Sequence, residues 1–246
     1  MKYGKFFCFA ACVALVGPAA QAEPKPYSEE FGAAVRAYLL DNPNVFLEVF
    51  ARIQELEEQE AEAAKQAMIE QYASELFNSQ APRIGSPNGD YVAVEFFDYA
   101  CGFCKQALGE VDRALDGRDD ITVVLKEFPI LGAASELAAR VGMALRQSEG
   151  DEAYVSYHRA LMLHPERLDE DLVESVIDEL GFDFGALKEH GQNPDISAEL
   201  RANRQLGVAL GINGTPAFVF RNDIVAGLIR ADAFVEKIEQ AAQRVE

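Results

Sequence analysis

Cys101 and Cys104 stand three apart in the run Glu95-Phe-Phe-Asp-Tyr-Ala-Cys-Gly-Phe-Cys-Lys, between a dense apolar stretch and a helical one. This placement constrains the fold more than any other feature. A strand that turns into a helix at a Cys-x-x-Cys pair puts the first thiol among the unpaired N–H groups of the helix start, where an anion is favoured. The second thiol follows one turn later. Two cysteines so close cannot staple a large fold, so the pair reads as reactive rather than structural. A zinc half-site is the alternative, and it needs a second pair of ligands. His158, His164 and His190 are scattered through helical stretches with no cysteine nearby, so no metal is expected.

The first 22 residues sharpen this reading. Lys2 and Lys5 make a positive start, Phe6 to Val16 is an apolar run, and Ala20-Gln21-Ala22 offers a peptidase site. The stretch therefore reads as a secretory signal, 1–22, cleaved after Ala22. A retained membrane anchor is the alternative, but the run is short for a bilayer. A lipoprotein would need a cysteine where Glu23 stands. Cys8 and Cys12 leave with the signal, so Cys101 and Cys104 are the cysteines kept. Export implies an oxidising compartment such as a bacterial periplasm. Loss of Lys2 and Lys5 takes the formal charge from -19 to -21, which disfavours nucleic acid and anionic lipid as partners. No cofactor is expected.

After a tether at Glu23 to Pro26 the pattern turns helical. Phe31, Val35, Tyr38 and Leu39 recur at helical spacing, and Asp41-Asn42-Pro43 closes one helix and opens another. The second carries Phe46, Val49, Phe50, Ile53 and Leu56 on one face and continues to Phe77. Pro82, Gly85, Pro87 and Gly89 then predict a loop. No strand neighbours this apolar stripe, so it needs another surface. Self-association of a helical segment, 23–82, is the expectation; packing onto the downstream domain is the alternative.

From residue 90 to 246 the predicted order is a strand at Tyr91–Phe97, the Cys pair, a helix to Leu115 and a strand over Ile121–Phe128. An all-helical block spans about 135–210. Strands at Ala217–Phe220 and Ile224–Ala226 and a last helix from about Asp232 close the chain. Met143, Tyr154, Tyr157, Leu161, Met162 and Leu163 read as core of the helical block. The expected fold class is α/β, and the order looks like a thioredoxin fold with an all-helical insertion, preceded by an N-terminal helical segment. Glu95 breaks an otherwise apolar strand, and Lys126 on the next strand is its natural partner and a candidate redox-tuning residue. A solvent-facing strand end is the alternative for Glu95. Asp98 and Tyr99 are read as shaping the loop, and Lys105 as a surface residue.

Three segments in order, Val94 to Cys104, Lys126-Glu127-Phe128-Pro129-Ile130-Leu131-Gly132 and Gly211-Ile212-Asn213-Gly214-Thr215-Pro216-Ala217, resemble the DsbA-like thiol–disulfide oxidoreductases of bacterial envelopes. The N-terminal helices resemble the branch with a helical oligomerisation segment, the ScsC type. The resemblance implies Cys101 as nucleophile, Cys104 as resolving thiol and a cis Thr215–Pro216 bond against the pair. It also implies a proton-transfer role for Glu95 and a tuning role for Gly102-Phe103. Strong oxidases of the family carry a histidine in that dipeptide. Phe103 supplies no charge, which moves the expectation toward an isomerase-like poise, and Phe103 also suits contact with unfolded substrate.

The expected function is thiol–disulfide exchange on cysteine-containing envelope proteins, as isomerase or oxidase, with a membrane redox partner and a homo-oligomer of two or three chains. A periplasmic Cu(I)-binding thiol chaperone related to copper tolerance is the alternative from another class. The lack of a methionine beside the pair and the presence of Thr215-Pro216 argue against it.

Overall fold

The computed structural model describes residues 27–77 and 80–243; the expected leader, with Cys8, Cys12 and the cleavage point after Ala22, lies outside them. The chain divides into two compact units, one ending at Leu56 and one beginning at Glu57. In the first unit, α1 (Glu29–Asp41) starts where the Ser28 hydroxyl accepts from the Phe31 N–H at 3.2 Å, with Glu29 and Glu30 in the favourable first turn. It ends where Asn42 donates to the Tyr38 carbonyl. α2 (Asn44–Gln71) follows. Phe31, Tyr38, Phe46, Phe50 and Ile53 are exposed, and α1 buries no residue. Within this unit the two helices therefore present apolar side chains that they do not bury against each other.

In the second unit, the end of α2 and α3 (Ala73–Phe77) precede β1 (Arg83–Gly85) and β2 (Tyr91–Phe97). The remainder runs α4 (Gly102–Leu115), β3 (Ile121–Glu127), α5 (Ala133–Glu149), α6 (Asp151–Leu163), α7 (Glu170–Glu179), α8 (Phe184–His190), α9 (Pro194–Ala209), β4 (Ala217–Val219), β5 (Ile224–Ala226) and α10 (Ala231–Gln243). The sheet order is β1-β3-β2-β4-β5, with β2 and β3 parallel and the other pairs antiparallel. This is a thioredoxin-like sheet carrying a helical insertion. None of the described helices is long and apolar enough to cross a membrane.

The two faces of the central strands bury separate layers. Ala93, Phe97, Val123 and Leu125 meet α4, α10 and the helical insertion, while Val94, Phe96 and Val124 meet Ile69, Leu76, Phe77 and Leu206. Phe96 and Phe128 pack edge to face at 5.7 Å in the second layer. Truncating either to alanine in so filled a layer costs about 3–5 kcal/mol. Gly207 lets α9 approach here, because a Cβ would lie 2.6 Å from the Phe128 ring. Asp223 in the β4–β5 turn accepts from Lys65 at 2.5 Å and from Lys237, which ties the end of α2 to the sheet.

Two local expectations are corrected. The loop read over 82–89 contains β1, which adds an antiparallel edge to β3. Three residues between two prolines are too few to show a period-two pattern. Within the insertion Met143, Tyr154, Tyr157, Leu161 and Met162 are core, but Leu163, the last residue of α6, is 64% exposed.

Candidate redox site

β2 ends at Phe97, and the next four residues turn the chain into α4. Asp98 organises this turn. One carboxylate oxygen accepts from the Ala100 N–H at 2.8 Å, and the other accepts from Ile130 and Leu131 at 2.8 and 2.9 Å. Its carbonyl receives the Cys101 N–H at 3.0 Å. Asp98 is buried, so these bonds satisfy a carboxylate that water does not reach. The same side chain thereby fixes the cysteine loop and the loop that follows β3.

Cys101 occupies the N-cap position of α4 and Cys104 lies in its first turn. Neither is in a disulfide, and Cys104 is fully buried. The two thiols have opposite acidities. Cys101 is held down to about 5, first by the hydrogen bond from Cys104, against partial burial, and then by Thr215 and the N–H groups of Cys104 and Phe103. Burial, and the bond it donates to Cys101, push Cys104 far up. At pH 7 thiolate therefore outnumbers thiol at Cys101 by roughly a hundredfold.

The Cys101 thiol also donates to the Thr215 carbonyl at 3.2 Å, and the Thr215–Pro216 bond is cis. Pro216 is buried, and its carbonyl accepts from the Gly227 N–H at 2.8 Å. Gly102 and Phe103 are exposed, Phe103 at 61%, and a Cβ on Gly102 would meet nothing. Glu95 is 2% exposed on the face of β2 beneath the pair. Burial, and then the charge on Cys101, raise it to about 8.

Lys126 stands apart from this group. The register sets Glu95 against Leu125 and Phe96 against Lys126, so the two charged side chains leave the sheet on opposite faces. The expected Glu95–Lys126 pair is not made. Lys126 is 6% exposed, lines a hollow with Glu75, Arg146 and Glu199, and is lowered by burial to about 8. A slip of one residue in the β2–β3 pairing would have reversed this outcome.

Three other polar groups gain places that sequence reasoning did not assign. Lys105 is not simply a surface residue: its ammonium donates to the carbonyls of His164 at 2.7 Å and Glu166 at 3.1 Å, bracing the α6–α7 loop. Glu127, buried on the same sheet face as Glu95, accepts from the Tyr99 and Tyr154 hydroxyls at 3.0 and 2.7 Å. Its other carboxylate oxygen has no partner, and burial raises it to about 8. His158 packs edge to face on Phe97 at 4.7 Å, and burial lowers it to about 3, so the ring is neutral. Among the described residues no three His, Cys, Asp or Glu side chains are grouped to hold a metal. Period-two counting from Leu125 could have put Glu127 with the core, and an aspartate two residues before Ala100 is an Asx-turn signal.

An acidic thiol at a helix start beside a buried thiol and a Thr-cis-Pro turn is the arrangement that dithiol–disulfide exchange needs. The model of the DSBA-like thioredoxin domain matches residues 92–239. The chain belongs to the DSBA-like thioredoxin domain family. Its chemistry is accordingly that of a thiol–disulfide oxidoreductase. Among solved structures, a thioredoxin-like oxidoreductase from Silicibacter pomeroyi DSS-3 is 34% identical, with a TM-score of 0.66, over 69% of this chain and 97% of that one. BcfH of Salmonella enterica Typhimurium is 25% identical, with a TM-score of 0.69, over 87% of this chain and 95% of its own. A linker-deletion mutant of Proteus mirabilis ScsC aligns over 92% of this chain and 100% of its own at a TM-score of 0.70; at 24% identity the likeness is one of fold. No curated protein sequence matches the chain.

Proposed function

We propose that this DSBA-like protein is exported to the periplasm and exchanges disulfides in envelope proteins through a mixed disulfide on Cys101. The observation that carries the reading is the contrast between an acidic Cys101 and a buried, strongly basic Cys104. The Cys101 thiolate attacks a substrate disulfide, forms an S–S bond to one sulfur and expels the other as thiolate. Cys104 then loses its proton and attacks the Cys101 sulfur, closing the Cys101–Cys104 disulfide and releasing the substrate thiolate. If a second substrate thiolate attacks first, the substrate leaves with a rearranged disulfide and the enzyme stays reduced.

Glu95 is suited to take the Cys104 proton. Its affinity for a proton is raised partly by the charge on Cys101. Mixed-disulfide formation removes that charge, so the carboxyl ionises more easily when a base is needed. Thr215 and Pro216 orient substrate against the pair, while Gly102 and the exposed Phe103 leave the thiol approachable. Phe103 carries no charge, and the apolar stripes of α1 and α2 are suited to joining copies, so that several centres face one substrate. Both features favour reshuffling over oxidation alone, with a membrane partner setting the redox state of Cys101–Cys104.

Refolding of scrambled ribonuclease tests the reading. The reduced full-length protein is expected to restore activity, and a variant lacking residues 23–56 to restore less while still oxidising reduced ribonuclease. Failure of exchange in both assays, together with tight Cu(I) binding, would replace the reading with that of a copper-binding thiol protein.

A further inference from the structure

Between the loop after β3 and helix α9 lies a hollow of about 300 Å³ whose floor is Phe128, Pro129, Ile130 and Leu200. Arg140, Arg201 and Arg204 form its rim. Arg140 is already engaged, at 2.8 Å with Glu136 and at 2.9 Å with the Ser197 hydroxyl. Arg201 and Arg204, three apart on one face of α9, are exposed and make no hydrogen bond or ion pair among the described residues. Single exposed arginines are ordinary. Two unneutralised ones over an apolar floor, in a chain of formal charge -19, are a local reversal of the protein's field.

The hollow is joined to the thiol centre through Asp98. Ile130 in the floor donates its N–H to an Asp98 carboxylate oxygen at 2.8 Å, and the Asp98 carbonyl holds the Cys101 N–H at 3.0 Å. The floor of the hollow and Cys101 are thus held in place by one residue. We propose that the hollow is a docking subsite for the substrate polypeptide, selecting an apolar side chain flanked by Asp or Glu. The floor takes the apolar group and the two free guanidinium groups take the carboxylates. This deepens the exchange reading and rests on it for the identity of the ligand as substrate.

The test uses the full chain and two fluorescent, cysteine-free peptides with one Leu-Phe core, one flanked by Asp and Glu and the other by Lys. Net charge alone predicts tighter binding of the basic peptide. The subsite predicts that in low salt the acidic peptide has the lower Kd, by roughly three- to tenfold, and that salt near half-molar shrinks the difference. The R201E/R204E variant reverses the order. Both peptides binding alike, or an unchanged order in R201E/R204E, overturns the proposal. So does a variant that alters only the number of subunits, which makes the patch a contact between copies. A second arm gives each peptide one cysteine in mixed disulfide form and compares their rates with Cys101. Acidic preference in binding without reaction of either peptide refutes the exchange reading and leaves the subsite standing. Equal binding with equal reaction refutes the subsite and leaves exchange standing.

Discussion

The Cys101 sulfur lies 3.2 Å from the carbonyl oxygen of Thr215, a residue 114 positions later, and the thiol is the donor. That contact holds the protonated thiol; the Thr215 side chain, through its own hydrogen bond, is among the groups that lower Cys101 to about 5, after the Cys104 thiol. Acidity at this centre is thus assembled from neutral donors, without the cationic neighbour expected of a strong oxidase.

Removing the Cys104 donor should make this dependence visible. In Cys104→Ala, the pH midpoint of Cys101 alkylation is expected to rise from about 5 by roughly one to two pH units, the worth of one hydrogen bond to a charged acceptor. The variant should also accumulate mixed disulfides with substrate, seen on non-reducing gels, while Cys101→Ser forms none. An unmoved midpoint would shift the cause to the helix start.

Glu95→Gln separates catalysis from stability. The folded Glu95 holds its proton up to about pH 8, whereas an unfolded glutamate releases it near 4.3. Its contribution to stability is therefore greatest below pH 4 and declines as pH rises to about 8. The glutamine variant should match the parent near pH 4 and exceed it by up to roughly 4 kcal/mol at pH 9, read from urea unfolding of the reduced proteins. Resolution of the mixed disulfide should slow by about a hundredfold. A normal rate would remove Glu95 from proton transfer.

Lys126→Met should be stabilising. The buried ammonium is disfavoured in the folded chain, which lowers it to about 8. The folded-state penalty is complete below pH 8 and is relieved as pH climbs to 10.4. Melting at pH 7 should reveal a gain of roughly 2–3 kcal/mol, fading above pH 10. The Cys101 alkylation midpoint should stay in place, because Lys126 projects from the other face of the sheet. A shift there would restore the tuning role that the sequence suggested.

Asp98→Ala removes the acceptor of three backbone N–H groups. A loss of about 3–5 kcal/mol is expected in chemical denaturation, together with an altered Cys101–Cys104 reduction potential. Asp98→Asn, which keeps one acceptor oxygen, should recover part of both. A loss of stability with an unchanged potential would limit Asp98 to holding the loops.

The first unit gives an independent test. Phe46, Phe50 and Ile53 are exposed at 49%, 62% and 43%. Replacing all three by Glu should reduce the subunit count measured by light scattering to one while leaving the circular dichroism of the second unit intact. An unchanged count would discard self-association through this face.

The sequence by itself determined most of the element order, β1 excepted, and the placing of Cys101 and Cys104 at a strand-to-helix junction, because these are written in local patterns. Apolar runs set β2 and β3, 3.6-residue spacing set the helices, and a helix start at Cys101 set the favoured anion. Only tertiary structure decided which charged groups meet. Glu95 and Lys126 look like partners one strand apart, but ladder register sends them to opposite faces, and that register depends on pairing between distant segments. Asp98 and Glu127 carry only faint local hints in the sequence, an Asx-turn spacing and a period-two place on β3. Their places come from loops and helices that close over them, Ile130 and Leu131 on one and Tyr99 and Tyr154 on the other. Local periodicity reports which way a side chain faces along its own element, and burial of a polar group is settled by what the rest of the chain brings to it.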